Sequence, residues 1–511
     1  MSHSNNQLRS GVYLSYINLA LSALIPFLYT PIMLDMLGQA EYGLYSLANS
    51  VVGYLSLLSF GFGTTIVRYL AKYRAEENNQ ALERTYGFFL LLYSALAVLV
   101  LLGGVLLSGN VNSIFDQGLR QDEIGKMKVL VLIMSANTAL SFPLSVFASV
   151  AIAHERYFFR KIMDILSTVA APVANLIALY LGYASVGMVL AGTAVSLLLA
   201  PVSITYCFRS IKIRPRFAKL PKALILEMVG FSAFAFIGAI VDMLFWATDK
   251  VILGMLASSA AVAVYNVGGT FNNMVMSLST SISGVLIPRI TGMVVADASK
   301  KEWTGLFIRI GRIQFLLIAL IASGFSVFGQ AFINLWAGPE YTDAFWVAVL
   351  TMFPLCIPLI QNTGLSFVVA QNKHRFRSIV YLIIAVMNVI STYLVVPTMG
   401  IIGAALCSCV SYLLGQGLIM NIYYYKVTGL DIPLFWKNIL KMAIIPGLML
   451  VAGLLLKQLV SLDNWLVFFA GVILFTAVYM ILMYLFAMND YEKDIVRKPA
   501  QKIIRILRRK K

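Results

Sequence analysis

The chain has 511 residues, 60% of them hydrophobic and only 12% charged, with a formal net charge of +17 and a mean hydropathy of +0.85. The stretch from Gly11 to Leu34 alone runs 24 residues without a charge, enough to cross about 30 Å of hydrocarbon at 1.5 Å per residue. A soluble fold of this length needs no such content, so the composition excludes one and predicts an all-α polytopic membrane protein.

Fourteen spans are predicted, over 11–34, 44–67, 85–108, 129–153, 162–183, 185–207, 229–256, 262–287, 306–329, 345–370, 378–397, 400–424, 439–459 and 464–488. With the N-terminus inside, 34 of the 39 Lys and Arg residues fall in the tails and alternate loops or at the flanking span ends. The opposite side keeps only Arg120, Lys126, Lys128 and Lys457. Cytoplasmic loops carry such an excess of cations, so both termini are predicted cytoplasmic. The same bias accounts for most of the net charge without a nucleic-acid partner. The first span is too long for the apolar core of a signal peptide and lacks a small-x-small cleavage site, so it is read as retained. In the C-terminal tail, Ile503, Ile504 and Leu507 share one helical face among basic residues, which predicts a segment lying on the lipid surface.

In the second span, Gly61-Phe-Gly63 opens no dinucleotide-binding loop, because Ile66 stands where the last glycine belongs; tight helix packing is expected there instead. Arg68 follows at the predicted cytoplasmic end, as an anchor or as a receiver of a pyrophosphate. Asp164, one turn from Arg160 and Lys161, is expected to pair with them at the interface.

The basic stretch 209–222, with Pro215 and Pro221, reads as a linker between halves. Ala153-x5-Phe159-Arg160-x-Ile162 recurs as Ala370-x5-Phe376-Arg377-x-Ile379, an offset of 217, and Tyr45/Tyr265, Gly187/Gly403 and Arg68/Arg289 keep nearly the same spacing. The expected organisation is an N-terminal six-helix lobe (1–208), the cytoplasmic linker (209–222), a C-terminal six-helix lobe (223–425), two additional transmembrane helices (426–488) and a basic tail (489–511). Six spans per lobe make the repeat parallel, an arrangement typical of transporters.

The seventh span places Asp242, Asp249 and Lys250 in an apolar helix, and at 100° per residue they share one face with Trp246. Each central charge costs about 2.5–3.5 kcal/mol on an insertion scale. Two readings stay open: Lys250 neutralises an acid and helps the halves pack, or the face lines a polar cavity. The eighth span adds a stripe of Asn266, Thr270, Asn273, Ser277 and Ser281, open between cavity lining and packing; Gln361, Asn362 and Thr363 in the tenth stand under the same alternatives. Arg309 and Arg312 are expected to snorkel to the cytoplasmic surface, and Arg289 repeats the position of Arg68. Cys207, Cys356, Cys407 and Cys409 sit in apolar spans and the three histidines lie apart, so no metal, redox or catalytic site is expected.

Leu37-Gly38-x3-Tyr42-Gly43-Leu44-Tyr45, then Tyr54-Leu-Ser-Leu-Leu-Ser-Phe-Gly61-Phe-Gly63-Thr-Thr-x2-Arg68, resembles the start of the bacterial polysaccharide flippases (Wzx-type) of the multidrug/oligosaccharidyl-lipid/polysaccharide exporter superfamily. Asp249-Lys250-x-Ile-Leu-Gly, Ala263-x-Tyr265-Asn266 and Pro288 resemble the opening of their second half. The resemblance implies a V-shaped two-lobe exporter of the inner (plasma) membrane. Its implied substrate is an undecaprenyl-pyrophosphate-linked oligosaccharide, and its implied partners are membrane lipids, a polysaccharide polymerase and chain-length proteins. No cofactor is implied, and coupling to a proton or sodium gradient stays open. Fourteen spans also resemble the lipid II flippase branch, but those flippases carry Arg in the first span, where this chain has no charge. Two alternatives remain: a cation-coupled multidrug antiporter of the same superfamily, with Asp242 as its acid, and a nontransporting scaffold for polysaccharide assembly.

Overall fold

A computed structural model describes residues 2–284, 286–495 and 497; the tail segment carrying Ile503, Ile504 and Leu507 lies outside them. In chain order the helices are α1 (Ser2–Leu37), α2 (Gln39–Ser56), α3 (Phe62–Ala75), α4 (Asn79–Phe115), α5 (Gln121–Ala153), α6 (Tyr157–Tyr180), α7 (Ala184–Tyr206), α8 (Lys222–Trp246) and α9 (Thr248–Leu256). They continue with α10 (Ser259–Gly284), α11 (Ile287–Val295), α12 (Lys300–Trp336), α13 (Ala344–Ile360), α14 (Asn362–Ala370), α15 (His374–Tyr412), α16 (Met420–Tyr423), α17 (Ile432–Lys457) and α18 (Trp465–Leu482). No strand occurs among the described residues, as the all-α expectation requires.

Among the described residues eleven helices are long and apolar enough to cross a membrane, and the bent pairs α10/α11 (45°) and α13/α14 (46°) raise the number to 13. The stretch Arg375–Thr428 has 54 residues, about 80 Å of helix, and turns at Gly400 (φ 54°, ψ −134°). It is long enough for two spans, so fourteen is compatible with the structure. Lipid is the solvent of the outer faces: on α18, Leu466 is 80% and Ile473 68% exposed.

The second span differs from the continuous helix expected over 44–67. After α2 a short 3₁₀ turn (Leu57–Ser59) leads into Phe60 (φ 50°) and Gly61 (φ 66°), both left-handed, before α3 begins. A Cβ on Gly61 would also lie 2.9 Å from the Ala235 Cβ of α8. Gly61 therefore serves a turn as well as the expected close packing. The fourth span starts earlier than residue 129, because the Arg120 backbone N–H is accepted by Glu123 Oε2 at 2.9 Å and the helix begins at Gln121.

The chain divides into two compact units, one of residues Met1–Asn266 with Ala385–Ala404, the other of Val267–Ile384 with Ala405–Lys511. Element lengths repeat along the sequence. Both α4 and α12 have 37 residues, and the broken pair α2–α3 has its counterpart in the broken pair α10–α11.

Between helices in lipid, apolar burial gives little drive, and close backbone approach must supply the attraction. The first unit shows how. A Cβ on Gly43 would fall 1.8 Å from the Ser259 carbonyl oxygen, so only glycine lets α2 reach the α9–α10 turn. Beside that contact Lys126 Nζ donates to Glu41 (2.6 Å), Ser185 Oγ donates to Glu41 (2.6 Å), and Ser259 Oγ donates to Glu123 (2.6 Å). The Gly43 of the Leu-Gly-x3-Tyr-Gly motif is thus a packing residue.

Candidate functional site

The seventh span is not one helix. α8 ends at Trp246, Ala247 takes φ −108°, and α9 starts at Thr248, whose hydroxyl is hydrogen-bonded to that of Tyr54. The break changes the face expected from a continuous helix. Asp242 stays exposed on α8 and Trp246 half-buried at its end, while Asp249 on α9 is 1% exposed.

Three neutral donors surround the Asp249 carboxylate. Tyr265 OH donates to Oδ2 at 2.5 Å, and Asn388 Nδ2 and Thr392 Oγ1 reach Oδ1 at 3.3 and 3.4 Å. Asn388 and Thr392 are fully buried, and Tyr265 is 9% exposed. Lys250, one residue on, turns to other partners: its Nζ donates to Asn266 Oδ1 at 3.2 Å, and Asn266 Nδ2 donates to Tyr42 OH at 2.6 Å. The structure thus brings Asp249, Lys250 and Asn266 into one region of the first unit. The three donors hold the carboxylate oxygens in place on α9.

The remaining expected residues lie apart. Asn273 is exposed on α10, as are Ser277 and Ser281. The neighbouring Asn272, which the sequence did not single out, is buried and donates to Thr351 Oγ1 at 2.5 Å. Arg68 is exposed, with its guanidinium 4.3 Å from the Phe231 ring centroid. Arg289 is exposed at a cavity of about 410 Å³ shared with Glu302 and Arg309. Arg312 does not snorkel. It is 7% exposed and grips Glu492 through Nε (2.6 Å) and NH2 (2.8 Å), because the segment after α18 brings a carboxylate to it. No group of three or more His, Cys, Asp or Glu side chains placed to hold a metal occurs among the described residues.

A family model described as "Polysaccharide biosynthesis protein" matches residues 8–294, more than half of the chain. The chain belongs to this family. It is similar to EpsK of Bacillus subtilis (strain 168), an uncharacterized membrane protein, at 22% identity over 380 residues, covering 72% of this chain and 73% of that protein. Its fold is similar to that of the solved structure of the lipid II flippase MurJ in an inward closed conformation. The TM-score is 0.73 at 16% identity, with 95% of this chain and 100% of that one covered. It is also similar to an inward-facing multidrug resistance MATE family transporter of the MOP superfamily, at TM-score 0.62 and 13% identity over 83% of this chain and 99% of that one. Family and fold agree with the resemblance to polysaccharide flippases of that superfamily.

Sequence reasoning missed Tyr42, Asn388 and Thr392. Tyr42 stood inside the quoted motif without a role. Asn388 and Thr392, four residues apart in an apolar span, share one helical face; that spacing was the available signal.

Proposed function

We propose that this protein moves undecaprenyl-pyrophosphate-linked oligosaccharide repeat units across the bacterial cytoplasmic membrane by alternating access, for surface polysaccharide biosynthesis. Membership of a polysaccharide biosynthesis family, in a chain with a transporter fold, carries the reading: the polymer must be built from units that cross the membrane, and this fold is shared with exporters. The protein transports its substrate and does not convert it. Both termini lie in the cytoplasm, and a polymerase and chain-length proteins act on the delivered unit.

Within this reading Lys250 attracts the pyrophosphate or an acidic sugar, as a charge-assisted contact in low dielectric. Asn266, held between Lys250 and Tyr42, sets the direction of the ammonium. Asp249 carries the coupling ion, a proton or sodium, as a carboxylate buried within a span. Asp242, Trp246 and Asn273 offer exposed or half-buried polar contacts to the sugars, and Arg68 and Arg289 receive the phosphates on entry.

A flipping assay in vesicles with a lipid-linked oligosaccharide, under imposed proton and sodium gradients, tests this. Lys250→Ala is expected to lower the rate at least tenfold with normal protein levels, and Lys250→Arg to keep part of it. Asp249→Asn is expected to abolish the response to the gradient. Wild-type vesicles that extrude cationic drugs but leave the oligosaccharide in place would favour the antiporter reading, which the buried Asp249 and the likeness to a multidrug transporter fold also support.

A further inference from the structure

A second polar site lies in the first unit, away from Asp249 and Lys250. A cavity of about 330 Å³ opens between α5, α6 and α7, at the lower end of small-molecule site volumes. Asn137, Ser141, Ser145, Ser167, Ser196 and Ser203 line it among leucines and alanines of the same helices, with Arg160 and Asp164 at one end. Arg160 NH2 lies 2.8 Å and Lys161 Nζ 3.6 Å from the Asp164 carboxylate, so two cations share one acid and that end keeps net positive charge.

Three of the hydroxyls are oriented. Ser141 Oγ donates to the Thr138 carbonyl (2.7 Å), Ser145 Oγ to that of Phe142 (2.6 Å) and Ser196 Oγ to that of Gly192 (3.2 Å). Each has committed its proton to its own helix, leaving oxygen lone pairs to accept. A ligand that complements them must donate hydrogen bonds, and one that also suits the Arg160 end must carry negative charge. Hydroxyls beside a phosphate satisfy both.

The fold does not demand this polarity. The offset of 217 that relates Phe159 to Phe376 also relates Tyr206 to Tyr423, and the two pairs stack alike, at 3.7 and 4.5 Å between centroids. At that offset Ser167, Ser196 and Ser203 correspond to Ile384, Leu413 and Met420. Ser145 corresponds to the polar Asn362, but at the other three places the repeat accommodates apolar side chains, and helix packing alone does not explain Ser167, Ser196 and Ser203.

We propose that this groove binds the sugar next to the phosphate of a lipid-linked saccharide, its serines and Asn137 accepting from the sugar hydroxyls and Arg160 facing the phosphate. The proposal rests on the transport reading above and deepens it by adding a headgroup subsite. Phosphatidylglycerol offers the same chemistry, hydroxyls beside a phosphate, so the test must separate the two.

Binding is measured on the full-length protein in nanodiscs with undecaprenyl-pyrophosphate-linked N-acetylglucosamine and with sugar-free undecaprenyl pyrophosphate, while native mass spectrometry counts retained phosphatidylglycerol. The double variant Ser167→Ile/Ser196→Leu installs the second-half residues. It is expected to weaken the sugar-bearing probe at least tenfold and to leave the sugar-free probe unchanged. Ser141→Ala/Ser145→Ala removes the acceptors without adding bulk and is expected to weaken the sugar-bearing probe several-fold, which decides the matter if the first variant does not fold. Equal affinities for both probes in variant and wild type overturn the subsite. Loss of phosphatidylglycerol alone assigns the groove to a membrane lipid and also overturns it. A wild-type protein that binds neither probe sinks the transport reading itself, an outcome distinct from failure of the groove.

Discussion

Two polar clusters, one in each unit, leave different amounts of hydrogen-bonding capacity open. In the first, serines and an Arg–Asp pair line an open groove, and the half-buried Lys250 lies in a hydrogen-bonded row with Asn266 and Tyr42. In the second, polar groups close on one another. Gln361 Nε2 and Trp436 Nε1 both donate to Asn421 Oδ1, at 2.8 and 2.9 Å, and Asn421 Nδ2 donates to the Gln416 and Gly417 carbonyls. Arg312 and Glu492 form a bidentate pair, with a further bond from Arg312 to the Ala487 carbonyl at 2.8 Å. A closed network has spent its hydrogen-bonding capacity and can only stabilise; an open one can still serve a ligand. The difference teaches that a polar residue in a span does not mark a site until its partners are known.

Removing one partner of a closed pair tests this most severely. Arg312→Met strands the Glu492 carboxylate, which is 4% exposed, and should cost about 3–5 kcal/mol. A large fall in the thermal unfolding midpoint of the purified protein is the expected result. Adding Glu492→Leu should recover most of it, since an apolar pair of similar volume replaces a buried ion pair at little cost. A single variant as stable as wild type would show that water reaches the pair, and it would no longer count as closed.

A smaller loss is expected at the break between α13 and α14. Pro358 supplies no backbone donor in the last turn of α13, Gln361 caps that helix, and Asn421 holds the Gln361 side chain from the π-helical neighbourhood of α16. Asn421→Leu leaves the Gln361 amide and the Trp436 indole without their acceptor, which should cost about 1–3 kcal/mol. The expected effect on transport is no more than the loss of folded protein explains; a transport defect in fully folded protein would make this network part of the moving machinery.

The fold class was legible in the sequence because it rests on a local quantity, the length of the apolar stretches. Asp249, Lys250 and Asn266 were legible as anomalies for the same reason. Their partners were not. The seventh span breaks at Ala247 without proline or glycine, so the helical wheel carried one turn too far and put Asp242 and Asp249 on one face. Asn388 and Thr392 arrive at Asp249 from 139 and 143 residues away, and Glu492 reaches Arg312 across 180. Only the fold supplies such pairs.

The smallest effect on stability is expected in the open groove. Asp164 and Arg160 are 23% and 37% exposed in their side chains and stand one helical turn apart, and a pair so exposed contributes about 0–1 kcal/mol. The second half gives independent support: at the offset of 217 Asp164 corresponds to Tyr381, whose ring lies 4.2 Å below the Arg377 guanidinium, so the scaffold holds its arginine there without an acid. Asp164→Asn should leave the unfolding midpoint nearly unchanged in low and high salt. It also frees Arg160 and Lys161 from their shared acid, so affinity for an anionic headgroup should rise, most clearly at low ionic strength where the added charge is least screened. A midpoint falling as far as that of Arg312→Met would mean that the pair braces α6 as the buried pair braces the segment after α18, and the contrast between the open groove and the closed pair would fail.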